Sequence, residues 1–241
     1  MALQDFKVLT FDVVGTLIDF ETGVLRAFRS IAGDRAAGLS DDDLFGPYME
    51  GRARHPERSS EVMRLVYRHV AGVLGFPDEP HHAEAFQTAV LQWPAFPDSA
   101  AALRRLRRHY RLVAMTNADR VALSCYAQTL GDPFDDTVCA DDTGVAKPDP
   151  RFFAFNRGRQ SAFGYKFHDI LHVAQSQHHD IGVAHALGYT TCWIERRQGQ
   201  QGYGATPVPQ SFTRPDFHFA SLAELADAAD AAFLNPASKA S

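Results

Sequence analysis

The chain has 241 residues, 45% of them hydrophobic, enough to bury a sizeable core as one large domain or as a core with a small insert. A formal net charge of -5 advertises no general surface for polyanions, and the basic run LRRLRRHYR (103–111) reads as the solvated face of one helix, so no nucleic-acid partner is expected. Three widely spaced cysteines without a C-x-x-C pair, no apolar run near the roughly 20 residues that span a bilayer, and no basic segment leading into an apolar signal core point to a soluble, cytoplasmic protein without a membrane partner.

The first predicted strand, FKVLTFD (6–12), is an apolar run that ends in a carboxylate, Asp12, and Gly15-Thr16 then turns the chain away. Residues 20 to about 94 carry helical patterns throughout. EVMRLVYRHVAGVLG (61–75), for example, places Val62, Leu65, Val66, Val70, Val73 and Leu74 at helical spacing. WPAFPDS (93–99) breaks that pattern with two prolines, and Asp98 or Ser99 is a candidate cap for the helix SAAALRRLRRHY (99–110). Strands follow at RLVAMTN (111–117), ILHVAQS (170–176) and TTCWIE (190–195), with a helix at HDIGVAHALG (179–188) between the last two. The Gly-, Gln- and Pro-rich stretch QGQQGYGATPVPQ (198–210) reads as an exposed loop.

Continuous apolar strands alternating with helices predict an α/β fold, a parallel sheet covered by helices on both faces. In such sheets reactive groups sit just beyond the carboxyl ends of the strands, where Asp12, Thr116-Asn117 and Gln175-Ser176 all fall. Lys147 lies in GVAKPDPRFF, a loop stiffened by Pro148 and Pro150. Gln177 and Asp180 follow the third of these strand ends and open a helix.

FDVVGTL, then TN, then KPDP, then a strand followed by an acid opening a helix: in this order the chain resembles the haloacid dehalogenase superfamily over roughly residues 6–19 and 95–228. The resemblance implies a Rossmann-like catalytic core (1–19 and 95–241) with an inserted all-helical cap domain (20–94). It makes Asp12 the nucleophile and Lys147 the cation that orients it, with Thr16 and Thr116 holding its oxygens. Asn117 is then placed near the substrate or halide, and Asp180, with Gln175 and Gln177, near the hydrolytic water. Val14 and Ser176 complete the substrate-binding set.

Two departures narrow the reading. Magnesium-dependent phosphatases of this superfamily usually carry DxDGT and GDS, whereas here Val14 replaces the general acid and Gln175 the metal-binding acid. A phosphate ester needs a metal to offset charge repulsion and a proton for its leaving alkoxide; a halide needs neither. The pair therefore resembles the 2-haloacid dehalogenase branch, which implies displacement of halide by Asp12, an aspartyl ester, and hydrolysis of that ester by water, with no cofactor and no metal. The substrate implied is a small 2-haloacid or similar small carboxylate, and the resemblance also admits a homodimer.

A further departure leaves substrate identity open. The cap arginine usual in that branch aligns with Gly46, and spacing does not choose among Arg26, Arg29, Arg52 and Arg54 as its replacement. A phosphatase, a hydrolase of another carbon electrophile, and a non-catalytic binding protein that kept the fold stay open as alternatives. Of eleven histidines, His178-His179 flank the pocket without the spacing of a metal site, and Trp93 reads as hinge packing or as a pocket wall.

Overall fold

The computed structural model describes residues 1–234. Six strands form one sheet: β1 (Val8–Phe11), β2 (Arg111–Met115), β3 (Asp136–Val138), β4 (Ile170–Ala174), β5 (Thr190–Ile194) and β6 (Phe217–Phe219). Their order is β3-β2-β1-β4-β5-β6 and every neighbouring pair is parallel. The α/β, Rossmann-like expectation is met, and β1 sits between β2 and β4, which explains its continuous burial. The chain moves outward from β1 through β2 to β3 and then returns to the other side of β1 as β4. That reversal opens a crevice beyond the strand ends.

Four helices follow β1: α1 (Phe20–Ala32), α2 (Asp41–Arg54), α3 (Met63–Leu74) and α4 (Pro80–Val90). Local chemistry sets their ends. The Asp19 carboxylate accepts from Thr22 N at 3.1 Å at the start of α1, Ser40 and Asp43 form a reciprocal cap on α2, and Gly75 closes α3 in the left-handed conformation. Phe28 of α1 stacks on Phe86 of α4 at 4.7 Å between ring centroids, and Tyr67 of α3 packs against both rings. The two links joining this helical stretch to the sheet run side by side: Asp19 N donates to the Pro94 carbonyl at 2.8 Å and Phe96 N to the Leu17 carbonyl at 3.0 Å.

The remaining helices are α5 (Ser99–Leu106), α6 (Arg120–Thr129), α7 (Ala140–Thr143), α8 (Pro150–Ala162), α9 (Gly182–Ala186) and α10 (Leu222–Leu234). One apolar cluster joins Leu9 and Phe11 of β1 to the helical stretch and to α5 and α10, while a second gathers Val8, Val113, Phe152 and Phe153 on another side of the sheet. Asp98 precedes α5 without capping it. Its carboxylate instead pairs with Arg196 and accepts from Leu222 N and Ala223 N at the start of α10, while Ser99 Oγ donates to the Leu17 carbonyl.

Two strands lie outside the runs read from sequence. β3 and β6 have three residues each and form the two edges of the sheet, too short to show a period of their own. Among the described residues no helix is long and apolar enough to cross a membrane.

Candidate active site

Asp12 leaves β1 at the centre of the sheet with only 6% of its surface exposed. Its Oδ2 accepts from Thr16 Oγ1 at 2.6 Å and its Oδ1 from Lys147 Nζ at 2.8 Å. The Gly15-Thr16 turn makes the first contact: Gly15 takes φ +93°, and a Cβ there would stand 3.3 Å from the Phe20 ring and 3.5 Å from Gln175 Oε1. Thr16 Oγ1 is itself fixed by accepting from Gln175 N at 2.9 Å.

Lys147 is buried and uses all three of its protons, donating to Asp12 Oδ1, to the Met115 carbonyl at 2.8 Å and to Asp180 Oδ1 at 2.6 Å. Asn117 sets its backbone: Nδ2 donates to the Lys147 carbonyl at 2.8 Å and Oδ1 accepts from Lys147 N at 2.7 Å. The Lys147-Pro148 peptide is cis. A sheet strand end, a loop and a helical turn thus converge on one ammonium.

Electrostatics follow from this packing. Burial pushes the Asp12 carboxyl above its ordinary range, opposed by the Lys147 ammonium and reinforced by the Asp180 charge. Burial also works against Lys147, yet Asp12 and Asp180 hold its ammonium above the usual lysine value. Asp180 is desolvated as well, but Lys147 and His172 bring its carboxyl down to about 2. The raised Asp12 and the stabilised Lys147 describe one coupled pair in a dry place, with the ammonium bridging two carboxylates.

The structure places the other residues named from sequence as follows. Val14, Thr116, Asn117, Gln175, Ser176 and Asp180 line one cavity with Asp12 and Lys147. Thr116 Oγ1 accepts from Ala118 N at 3.2 Å and makes no hydrogen bond to Asp12, so in this structure it does not hold the Asp12 oxygens as expected. Asn117 gives one N–H and its carbonyl oxygen to the Lys147 backbone and, with its second N–H uncommitted, lines the cavity. Ser176 caps the helical turn that carries Asp180, accepting from His179 N at 2.9 Å. Gln177 does not line the cavity; its Oε1 accepts from Thr213 N at 3.0 Å, which anchors the loop before β6.

The cavity encloses about 420 Å³. Its far wall comes from the helical stretch and is mostly apolar, with Phe20, Met49, Met63, Val90 and Trp93 facing Val14 and Tyr126. Trp93 is both hinge and wall: it stacks parallel to Tyr126 at 6.2 Å, and its ring lies so close to Gly23 of α1 that a Cβ there would meet Trp93 Cδ1 at 2.1 Å. The segment read as an exposed loop also contributes. Ala205, Thr206 and Pro207 reach the cavity because Glu21 Oε1 accepts from Ala205 N at 2.7 Å and Glu21 pairs with Arg197.

Two arginines open on the cavity, Arg52 and Arg58, whereas Arg26, Arg29 and Arg54 do not. Arg29 pairs with Asp41 on the surface. Arg52 is spent on its own turn, donating to the His55 carbonyl at 3.2 Å and to Met63 Sδ at 3.6 Å. Arg58 has no hydrogen bond or ion pair among the described residues; burial, then the adjacent Arg52 cation, lowers its pKa. His178 and His179 stand across from it, and burial drives the His179 imidazolium pKa down to about 4. Sequence reasoning missed Arg58, which has no motif around it, and passed over His172, whose signal was a lone imidazole inside the apolar run ILHVA.

A family model described as haloacid dehalogenase-like hydrolase matches residues 6–188. The chain belongs to that family. Among curated proteins, this haloacid dehalogenase-like hydrolase is 25% identical over 219 residues to the (S)-2-haloacid dehalogenase 4A of Burkholderia cepacia, covering 86% of this chain and 90% of that one. It is 27% identical over 128 residues to a phosphoserine phosphatase of Thermus thermophilus, covering 52% of this chain and 50% of that one. The fold is similar to that of the L-2-haloacid dehalogenase from Xanthobacter autotrophicus, with a TM-score of 0.72 at 20% identity over 92% of this chain and 97% of that one.

Proposed function

We propose that this hydrolase cleaves the carbon–halide bond of small 2-haloacids without a metal. The observation that carries the reading is the environment of Asp12. Both of its oxygens are engaged by Thr16 and Lys147, and the neighbours at positions 14 and 175 are Val14 and Gln175 rather than carboxylates. A magnesium ion fits this donor set poorly. Hard cations of that size want several oxygen ligands with free lone pairs, and here an ammonium already occupies the space between Asp12 and Asp180. Among the described residues no three His, Cys, Asp or Glu side chains cluster to hold a metal. The (S)-2-haloacid dehalogenase similarity supports the same substrate class.

In this reading an Asp12 oxygen attacks the α-carbon from the side opposite the halogen. The carbon–halogen bond breaks with its electron pair, halide leaves, and an ester joins Asp12 to the inverted carbon. Water then adds to the Asp12 carboxyl carbon. The developing oxyanion is the Asp12 oxygen that did not form the ester, and it meets the donor already on it, Lys147 Nζ at Oδ1 or Thr16 Oγ1 at Oδ2, while Asp180 takes the proton of the water. Collapse breaks the bond between the carboxyl carbon and the ester oxygen, the leaving alkoxide takes the proton held by Asp180, and Asp12 is returned as the 2-hydroxyacid leaves.

Residues 20–94 act as the cap over a core of 1–19 and 95–241 and supply the substrate wall. Arg58 receives the substrate carboxylate, because a half-buried guanidinium without a partner gains most from a bidentate anion. The apolar wall around Met63, Val90, Trp93 and Tyr126 holds the carbon skeleton and excludes water from the displacement.

The test is halide release from both enantiomers of 2-chloro- and 2-bromopropionate in EDTA, beside phosphate esters with magnesium. Halide appearing under EDTA, with inverted product and no phosphate release, is the expected result. Asp12→Asn should cut turnover by about 10⁴-fold or more. Phosphate release that depends on magnesium would sink the proposal and favour the phosphatase reading.

A further inference from the structure

Asp180 is held on one side only. Lys147 Nζ and His172 Nε2 both reach its Oδ1, at 2.6 Å and 3.0 Å, while its Oδ2 is buried with no hydrogen-bond partner. A carboxylate gripped by the ammonium alone could turn about its Cβ–Cγ bond and share both oxygens with Lys147. A second donor on the same oxygen removes that freedom.

The second donor is itself built in. Thr10 of β1 and His172 of β4 are direct partners in the parallel register, both fully buried, and Thr10 Oγ1 lies 2.9 Å from His172 Nδ1. Among the described residues the other acceptor near that hydroxyl, the Leu171 carbonyl, stands at 3.5 Å. The shorter contact favours donation by Thr10 to Nδ1, which leaves the imidazole proton on Nε2, facing Asp180. Phe153 of α8 packs edge to face on the ring at 5.2 Å between centroids. The charged groups around this unit are Asp180, Lys147 and Asp12.

We propose that His172, set by Thr10, is a positioning residue for the hydrolytic half of the reaction: it locks Asp180 so that Oδ2 stays free to accept the proton of the attacking water. This rests on the haloacid reading above. The ester-forming step uses Asp12 and Lys147 and does not call on Oδ2, so the two half-reactions should separate. His172 donates to Asp180 but touches neither substrate nor Asp12, which distinguishes positioning from catalysis.

Rapid-quench halide release separates them. In His172→Leu the first turnover should release one halide per active site at the wild-type rate, while steady-state kcat falls about 100-fold and the aspartyl ester accumulates to detection by mass spectrometry. His172→Gln, whose amide nitrogen reaches the same place, should recover at least about tenfold of that loss, and Thr10→Val should fall between them. An equal slowing of burst and turnover, or no change in either, overturns the proposal, as does a Gln variant no better than Leu.

A readout free of activity keeps the geometry apart from the reaction. In wild-type protein, ¹⁵N chemical shifts of the His172 ring at pH 7 should report the tautomer protonated at Nε2, with a proton slow to exchange. A ring protonated at Nδ1 would overturn the arrangement even if dehalogenation is found. If no haloacid is turned over, the function proposed above falls, and the ring shifts still decide whether His172 fixes Asp180.

Discussion

The two walls of the cavity are built on opposite electrostatic plans. On the sheet side the charges are tied into one network: Lys147 bridges Asp12 and Asp180, and His172 reaches the same Asp180 oxygen. On the helical side the wall is mostly apolar, and its two guanidiniums, Arg52 and Arg58, pair with no carboxylate among the described residues; Arg58 makes no hydrogen bond there either. A buried network of linked charges is rigid, because removing any member leaves another desolvated. An uncompensated cation costs stability and is tolerated where a ligand supplies the partner. In the reaction proposed above the sheet side makes and breaks bonds and the helical side chooses what enters.

Links between the walls sharpen that contrast. Asp119 caps α6 through Ala122 N at 2.7 Å and also accepts from Ser60 N of the helical stretch. Glu21, in the first turn of α1, holds the loop that brings Ala205 to the cavity. Each carboxylate crosses from one wall to the other, so the substrate pocket is shaped by both.

Breaking the sheet side should have the largest effect. Lys147→Met leaves Asp12 and Asp180 facing each other without a cation and should lower stability by about 3–5 kcal/mol. Urea unfolding measures that, and activity in the surviving fraction should fall at least about 10³-fold. Breaking the helical side should separate binding from folding. In Arg58→Ala we expect KM for a 2-haloacid to rise about 30-fold with kcat changed far less, while the melting temperature stays level or rises, because a desolvated charge is gone. A KM that does not move would assign the carboxylate elsewhere.

Between the walls, Gly23→Ala tests the close approach of α1 to Trp93. The added methyl must displace the indole, and calorimetry should show a loss of about 1–3 kcal/mol together with altered acceptance of longer acyl chains. The smallest effect belongs to His179, whose folded pKa of about 4 lies below the ordinary 6.5. Below pH 6.5 the unfolded chain takes up this proton first, so its contribution to stability is complete above pH 6.5 and is lost as pH falls toward 4. Replacing it in His179→Gln should flatten the stability profile across that window by on the order of 2 kcal/mol. Identical profiles for the two proteins would assign the acid sensitivity to other groups.

Much of this site could be read from letters because its parts sit where chain punctuation is strong. Asp12 ends an apolar run before a Gly-Thr turn, Lys147 stands before a proline, and Asp180 opens a helix after a strand. Strand ends of a parallel sheet are forced together by the topology, so naming the strands already brings these side chains near each other. The sequence alone also determined the parallel α/β core, through four strands buried on both faces whose apolar runs need no partner to be recognised.

Tertiary structure decided the rest. Which carboxylate oxygen receives which donor depends on register between β1 and β4, and that register makes Thr10 and His172 a pair although 161 residues separate Thr10 from Leu171 beside it. The same holds for Asn117, whose grip on the Lys147 backbone exists only in the folded chain. Arg58 could not be chosen from among the arginines because its distinction, a partnerless guanidinium on the cavity wall, exists only in the folded chain. The edge strands β3 and β6 and the wall role of Ala205 likewise exist only through contacts with distant segments, and a pattern of three residues carries no record of them.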